Sequence, residues 1–252
     1  MSDFGFDLDF EEEEKEIEED NFNIEENMSE QPKSKYGDIY QLGNHRLMCG
    51  DSTKEEDVLR LLNRQKADIV LTDPPYGIDI VSKNGEVGAN FGVAKKGIYS
   101  KIIADNTTET ARESYKILKK ICNKLIIFGG NYFIDFLEPS DGWLIWDKRV
   151  DSGIKNTFAD GEMAYCNFHT PVRIYHQLWN GMIREGEKDK RLHPTQKPVK
   201  MISEILQDFS NENENVLDVF GGSGSILIAC EQLNRKCYMM EIDPKYVDII
   251  IK

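Results

Sequence analysis

From residue 45 to the end of the chain, short apolar runs alternate with amphipathic stretches. Apolar runs at residues 45–50, 67–72, 124–128, 143–146, 216–220 and 237–241 predict strands. Residues 54–65 predict a helix whose apolar face is Val58, Leu59, Leu61 and Leu62. Further helices are expected over 107–121, 199–209 and 225–234, with a last one starting near Pro244. Strands and helices in alternation predict an α/β fold with a doubly wound, mostly parallel sheet. Residues 79–100, rich in Gly, Lys and Asn, predict a loop, and 147–192 carry only short polar and aromatic pieces.

The 252 residues suffice for one large domain or two small ones. No apolar run approaches the roughly 18 residues that a membrane span needs. The acidic start is unlike a secretory signal. Cys49, Cys122, Cys166, Cys230 and Cys237 include no Cys-x-x-Cys pair. They read as reduced thiols of a cytosolic protein, with neither a disulfide frame nor a zinc site, and no metal is expected.

A net charge of −14 is unfavourable for a nucleic-acid partner until it is divided along the chain. Residues 1–30 carry fourteen acids and one lysine, which leaves residues 31–252 at −1. Residues 1–35 are therefore expected to be an acidic tail without fixed structure, and 36–252 the folded domain. The tail reads as a solvated linker, a phosphate mimic or a docking segment. Removal of residues 1–30 is expected to leave the fold intact and DNA binding no weaker.

Two constellations carry chemistry. In the first, Asp218-Val219-Phe220-Gly221-Gly222-Ser223-Gly224 joins a strand to a helix. Glycines there admit a ligand close to the backbone, beside the free N–H groups of a helix start. Glu241, at the end of the next strand, suits two ribose hydroxyls. A tight turn that merely needs small residues is the alternative. In the second, Thr72-Asp73-Pro74-Pro75-Tyr76-Gly77 follows a strand, where open α/β sheets bind ligands. An aromatic exocyclic amine is a poor nucleophile because its lone pair is delocalised into the ring. A carboxylate and a backbone carbonyl that accept its N–H bonds free the lone pair by positioning and electrostatics. Tyr76 offers a flat surface to an extruded base. A proline-rich turn with a buried tyrosine is the alternative here.

With these residues in this order, the chain resembles the amino-group-specific DNA methyltransferases that act on adenine N6 or cytosine N4. It is similar to their beta-type order, in which Asp-Pro-Pro-Tyr precedes the Gly-rich motif. His193-Pro194-Thr195-Gln196-Lys197-Pro198, Cys49-Gly50-Asp51-Ser52, Phe128-Gly129-Gly130-Asn131 and Trp146-Asp147-Lys148 resemble further segments of that family. The resemblance spans about residues 38–252.

The resemblance implies a Rossmann-like fold of the S-adenosylmethionine-dependent methyltransferase type. Asp73, Pro74, Pro75 and Tyr76 would be the catalytic turn. Asp51, Asp73, Lys197, Asp218, Phe220, Gly221, Gly222, Ser223, Gly224, Glu241 and Asp243 would bind S-adenosylmethionine, with His193 and Thr195 as further contacts. Residues 149–191 would be a small inserted target-recognition region that reads double-stranded DNA, with Lys155, Arg173, Arg184, Lys188, Lys190 and Arg191 as candidate contacts. The expected setting is restriction–modification in the cytoplasm of a bacterium or phage-infected host. A homodimer is compatible with the sequence, no membrane or metal is expected, and a nuclease partner is not implied.

Three rivals compete with this reading. Carbon-5 cytosine methylation needs Pro-Cys, which does not occur in the chain. Protein glutamine methylation uses Asn-Pro-Pro-Tyr downstream of the Gly-rich motif, the reverse of this order. A binding module without turnover would keep the fold but has no use for the full catalytic turn. Within the family, Asp73 at the first motif position leans toward adenine N6 over cytosine N4.

Overall fold

A computed structural model describes residues 17–20, 22, 24–78, 107–150, 159–180, 183–184 and 196–252. The loop expected over 79–100 lies outside the described residues, as do Lys155, Lys188, Lys190, Arg191, His193 and Thr195.

Strands β1 (Ile39–Leu42), β2 (His45–Cys49), β3 (Ile69–Thr72), β4 (Leu125–Phe128), β5 (Gly142–Asp147), β6 (Gly161–Cys166) and β7 (Arg173–His176) are joined by β10 (Asn215–Asp218) and β11 (Lys236–Glu241). These nine form one sheet in the order β1-β2-β11-β10-β3-β4-β6-β5-β7. Strands β8 (Trp179–Asn180) and β9 (Ile183–Arg184) pair separately. The run β2-β11-β10-β3-β4 is parallel throughout, as the alternation of elements predicts.

The buried parallel strands read as continuous apolar runs because both faces are covered. In β3, Ile69 and Leu71 face one core cluster and Val70 the other. Strands β10 and β11 divide in the same way, with Val216 and Met239 on one side and Leu217 and Met240 on the other. The first cluster is closed by Val199, Ile202 and Leu206 of α4 (Val199–Phe209) and Ile226 and Ala229 of α5 (Ser225–Gln232). The second is closed by Val58 and Leu61 of α2 (Glu55–Leu62) and Tyr115 and Leu118 of α3 (Glu109–Ile121). Helix α6 (Pro244–Ile251) starts on Asp243, whose carboxylate accepts the Lys245 N–H at 2.9 Å.

Strands β10 and β3 are neighbours, yet the chain leaves them in opposite directions, toward β11 and toward β4. Their carboxyl ends therefore bound the crevice of a doubly wound sheet. The residues after β10 and β3 are Val219 and Asp73, so both chemistry-bearing motifs meet there.

Within residues 149–191, β6 pairs antiparallel with β4 and β5, and β7 extends the sheet beside β5, so these two strands belong to the main sheet. Charge and glycine masked β6 in the sequence. Gly161 lies against the Trp146 carbonyl, where any larger residue would collide, so the glycine serves strand packing rather than a turn.

The acidic segment also departs from expectation, since its described part from residue 17 to 35 packs on the domain. Ile24, in the one-turn helix α1 (Ile24–Asn27), is 2% exposed and packs with Ile249 of α6. The Glu19 carboxylate accepts the N–H groups of Val199 and Lys200, each at 2.9 Å, at the start of α4. The Glu18 backbone exchanges hydrogen bonds with the Gln232 amide at 2.9 and 2.8 Å. Charge density hid these contacts because a few apolar residues and one unpaired helix end suffice to dock a short segment. Ile24→Ala is expected to cost about 2 kcal/mol. Removal of residues 1–30 should lower the thermal midpoint further, against the expectation from composition. An unchanged midpoint in calorimetry would contradict the packing described.

Candidate active site

At the end of β3 the chain turns through Asp73-Pro74-Pro75-Tyr76. Two consecutive prolines fix the turn and leave their carbonyls without competing N–H donors in the same residues. The turn is tied to the neighbouring strand by Thr72, whose hydroxyl donates to Asp218 Oδ1 at 2.7 Å. The Tyr76 hydroxyl donates to Asp73 Oδ1 at 2.7 Å and lies 3.4 Å from Glu162 Oε2.

The second oxygen of Asp73 accepts from the Lys197 ammonium. Lys197 also lies 3.1 Å from Glu162 Oε2, and the other Glu162 oxygen binds the Lys148 ammonium. Lys197 is 8% exposed. The rings of Phe128 and Tyr76 flank its ammonium at 5.0 and 5.7 Å. Burial pushes the Asp73 carboxyl above its usual range, Lys197 pulls it back, and the Glu162 charge pushes it up again. Burial would also raise Glu162, but Lys197 and Lys148 together hold it well below its usual range. The two carboxylates shift oppositely because Asp73 has a share of one ammonium while Glu162 has two. Burial, then the adjacent Asp73 and Glu162, push Tyr76 well above its usual range, so it remains a neutral donor.

Tyr76 stacks on Tyr132 with ring centroids 5.0 Å apart and planes 16° from parallel. Gly129, after β4, has a φ of +72°, and a Cβ there would overlap the Tyr76 ring. Gly129 therefore sets how closely the aromatic platform approaches the sheet.

On the other side of Thr72 lies the Gly-rich turn. The Gly221 N–H donates to the Met240 carbonyl at 2.8 Å, and a Cβ at Gly221 would meet Met239 Cγ at 2.8 Å. The Glu241 carboxylate accepts from Gly222 N at 2.8 Å and Asp243 N at 2.8 Å. Asp218 accepts from Thr72 and from Phe220 N at 3.0 Å. Burial outweighs these hydrogen bonds and pushes both Asp218 and Glu241 up to about 7. Two buried carboxylates with spare acceptor capacity fit a ligand that brings hydroxyl donors and positive charge.

The structure thus brings Asp73, Pro74, Pro75, Tyr76, Lys197, Asp218, Phe220, Gly221, Gly222, Ser223, Gly224 and Glu241 to one crevice. Asp51 follows β2, next to β11, with Gly50 N donating to the Glu241 carbonyl at 3.0 Å. The Asp51 carboxylate is engaged by Thr53 N at 3.0 Å, and Asp243 is engaged as the cap of α6. Lys197, expected on the cofactor, has Asp73 and Glu162 as its protein partners. Arg173 is exposed on β7, four strand positions from β3, or about 19 Å away. Arg184 lies on β9. Glu162 and Tyr132 were not anticipated from the sequence. Only a strand assignment for β6 would have flagged a lone Glu in the apolar run Met-Ala-Tyr-Cys. Among the described residues, no cluster of His, Cys, Asp or Glu is suited to hold a metal ion, and no helix is long and apolar enough to cross a membrane.

A crevice at a switch point, with a rigid carboxylate-bearing turn beside it, is where open α/β sheets hold their ligands. The DNA methylase family for N6 and N4 amino groups matches residues 168–252. The Type II methyltransferase M.HpaI of Haemophilus parainfluenzae is 24% identical over 241 residues, covering 82% of this chain and 73% of its own. M.BglII of Bacillus subtilis is 39% identical over 67 residues, or 27% of this chain and 19% of its own. Among solved structures, the cytosine-N4-specific PvuII DNA methyltransferase superposes with a TM-score of 0.56 at 14% identity, covering 88% of this chain and 89% of its own. M1.HpyAVI, solved with S-adenosylmethionine, gives 0.52 at 19% identity over 81% and 96% of the two chains. The structural likenesses carry the fold. The family model and the sequence relatives say what the chain is similar to, over the spans given.

Gly129→Ala is expected to displace Tyr76 and to reduce methyl transfer at least about tenfold. Rates near those of the parent would show that the close approach of Gly129 to Tyr76 is not required. Asp218 and Glu241 bind protons more tightly in the fold than in the unfolded chain, where they titrate near 3.8 and 4.5. The ligand-free protein should therefore lose stability as pH rises from about 4 through about 7. Denaturant titrations at several pH values would detect this, and a rise over that window would contradict it.

Proposed function

We propose that the protein transfers a methyl group from S-adenosylmethionine to the N6 amino group of adenine in double-stranded DNA. The observation that carries this reading is the Asp73 carboxylate on a double-proline turn, one strand from the crevice of Asp218 and Glu241. M1.HpyAVI, which shares the fold, was solved with S-adenosylmethionine, and M.HpaI is a Type II methyltransferase, which supports this cofactor and a restriction–modification setting. Glu241 would accept the ribose hydroxyls, and the Asp218 turn would hold the methionine end, whose positive charge matches a buried carboxylate. When bound, S-adenosylmethionine supplies an electrophilic methyl on a sulfonium, and its carbon–sulfur bond breaks as the nitrogen–carbon bond forms.

The chain does the rest by positioning. Asp73 and the Pro74 carbonyl would accept the two amine N–H bonds, which withdraws the nitrogen lone pair from the ring and aims it at the methyl group. Asp73 would accept the proton that the methylated amine releases. Tyr76 would stack on the extruded base. Arg173 and Arg184 would meet DNA phosphates or base edges.

Cytosine N4 is the second reading, because the PvuII enzyme shares the fold and is cytosine-N4-specific. Asp73 at the first motif position favours adenine. Nucleoside mass spectrometry of DNA treated with the protein and S-adenosylmethionine decides between them: N6-methyldeoxyadenosine is expected, and N4-methyldeoxycytidine would overturn the adenine assignment. Asp73→Ala should lower methyl transfer by at least about a hundredfold, while cofactor affinity stays within about threefold. Near-parent rates in that variant would remove Asp73 from the mechanism.

A further inference from the structure

Glu162 reaches the site from β6, in the antiparallel half of the sheet, and none of the motifs contains it. Its two oxygens hold two ammonium groups, Lys148 from the end of β5 and Lys197 from the segment before α4. Lys197 is at the same time the partner of Asp73. A lysine ammonium is a point charge on a flexible stem, so one carboxylate alone holds it loosely. Two carboxylates that share the ammonium, with the Phe128 and Tyr76 rings flanking, fix its position.

We propose that Glu162 is a positioning residue for Asp73, acting through the Lys197 ammonium that the two carboxylates share. Anchored by Glu162, Lys197 keeps Asp73 ionised in a buried site and turns its remaining lone pairs toward the target amine. The inference rests on the reading of Asp73 as the amine acceptor. The groups that face Asp73 are Lys197, Glu162 and Tyr76 of its own turn, Asp218 of β10 interacts with it through charge, and Lys148 faces Glu162. The Glu162 charge both repels the Asp73 charge and pins the cation that stabilises it, so substitutions that separate charge from shape distinguish the two effects.

The test is direct titration of Asp73 in the full chain by carbon-13 NMR of labelled aspartate carboxyls, with Asp73→Asn identifying the signal. This readout needs no turnover. Glu162→Gln keeps an acceptor for Lys197 and removes the charge, so Asp73 should titrate at lower pH than in the parent. Lys197→Met removes the cation, so Asp73 should titrate at higher pH. In methylation assays, Glu162→Ala should lose at least about tenfold in kcat with cofactor affinity within about twofold, and Glu162→Gln should recover most of that loss. The acid limb of the rate profile should move with the Asp73 titration in each variant. In Glu162→Ala, which removes the charge and also frees Lys197, Asp73 should titrate at higher pH than in Glu162→Gln; if Asp73 titrates alike in the two variants, the inference is overturned, and this holds even if Lys197→Met does not fold. If the titrations shift as expected but the parent protein methylates no DNA, the Asp73 reading fails while the charge network stands.

Discussion

A carboxylate buried at the end of a central strand tends to take up a proton, and a protonated Asp73 has less capacity to accept N–H bonds from an amine. The Lys197 ammonium opposes that tendency. It arrives from the segment before α4, which is remote in sequence from the β3 turn. The ammonium is itself buried and is tolerated because Glu162 and two aromatic rings share it. Removing any member would leave an uncompensated buried charge, among the most destabilising defects in a protein interior. The packing of α4 on the sheet, the close approach of Gly129 to Tyr76 and the antiparallel insertion of β6 all converge on this one balance of charge.

The two sides of Thr72 handle charge differently. On the Asp73 side, Asp73, Glu162, Lys148 and Lys197 together are close to neutral before any ligand arrives. On the Asp218 side, Asp218 and Glu241 are supported chiefly by hydrogen bonds, and their affinity for protons is raised. A ligand with positive charge and hydroxyl donors would relieve that second side without disturbing the first. The Thr72 hydroxyl bridges the two, so the strand that carries the turn also holds the crevice carboxylate.

Strand β6 and the acidic segment show where composition misleads. Residues 161–166 sit in a stretch read as polar recognition surface, yet they form the strand that delivers Glu162. The segment from residue 17 onward is dense in acids, yet Glu19 neutralises the start of the helix that follows Lys197. In both cases one or two residues found partners that a charge count averages away.

The sequence by itself determined the elements of the parallel core, the two motifs and their order, and hence the switch point where they meet. Helix α4 starts and ends where its apolar periodicity predicts, at Val199–Phe209, and the strands of the parallel run differ from expectation only at their ends. Such features are local, written in residues a few positions apart, and need no knowledge of distant neighbours. Only the tertiary structure decided that Lys197 serves Asp73, that Glu162 joins them, and that Tyr132 stacks on Tyr76. Each of those is a contact between side chains on different strands or segments. Which side chains meet across a sheet depends on strand order and register, set by the packing of the whole core rather than by any one stretch of chain.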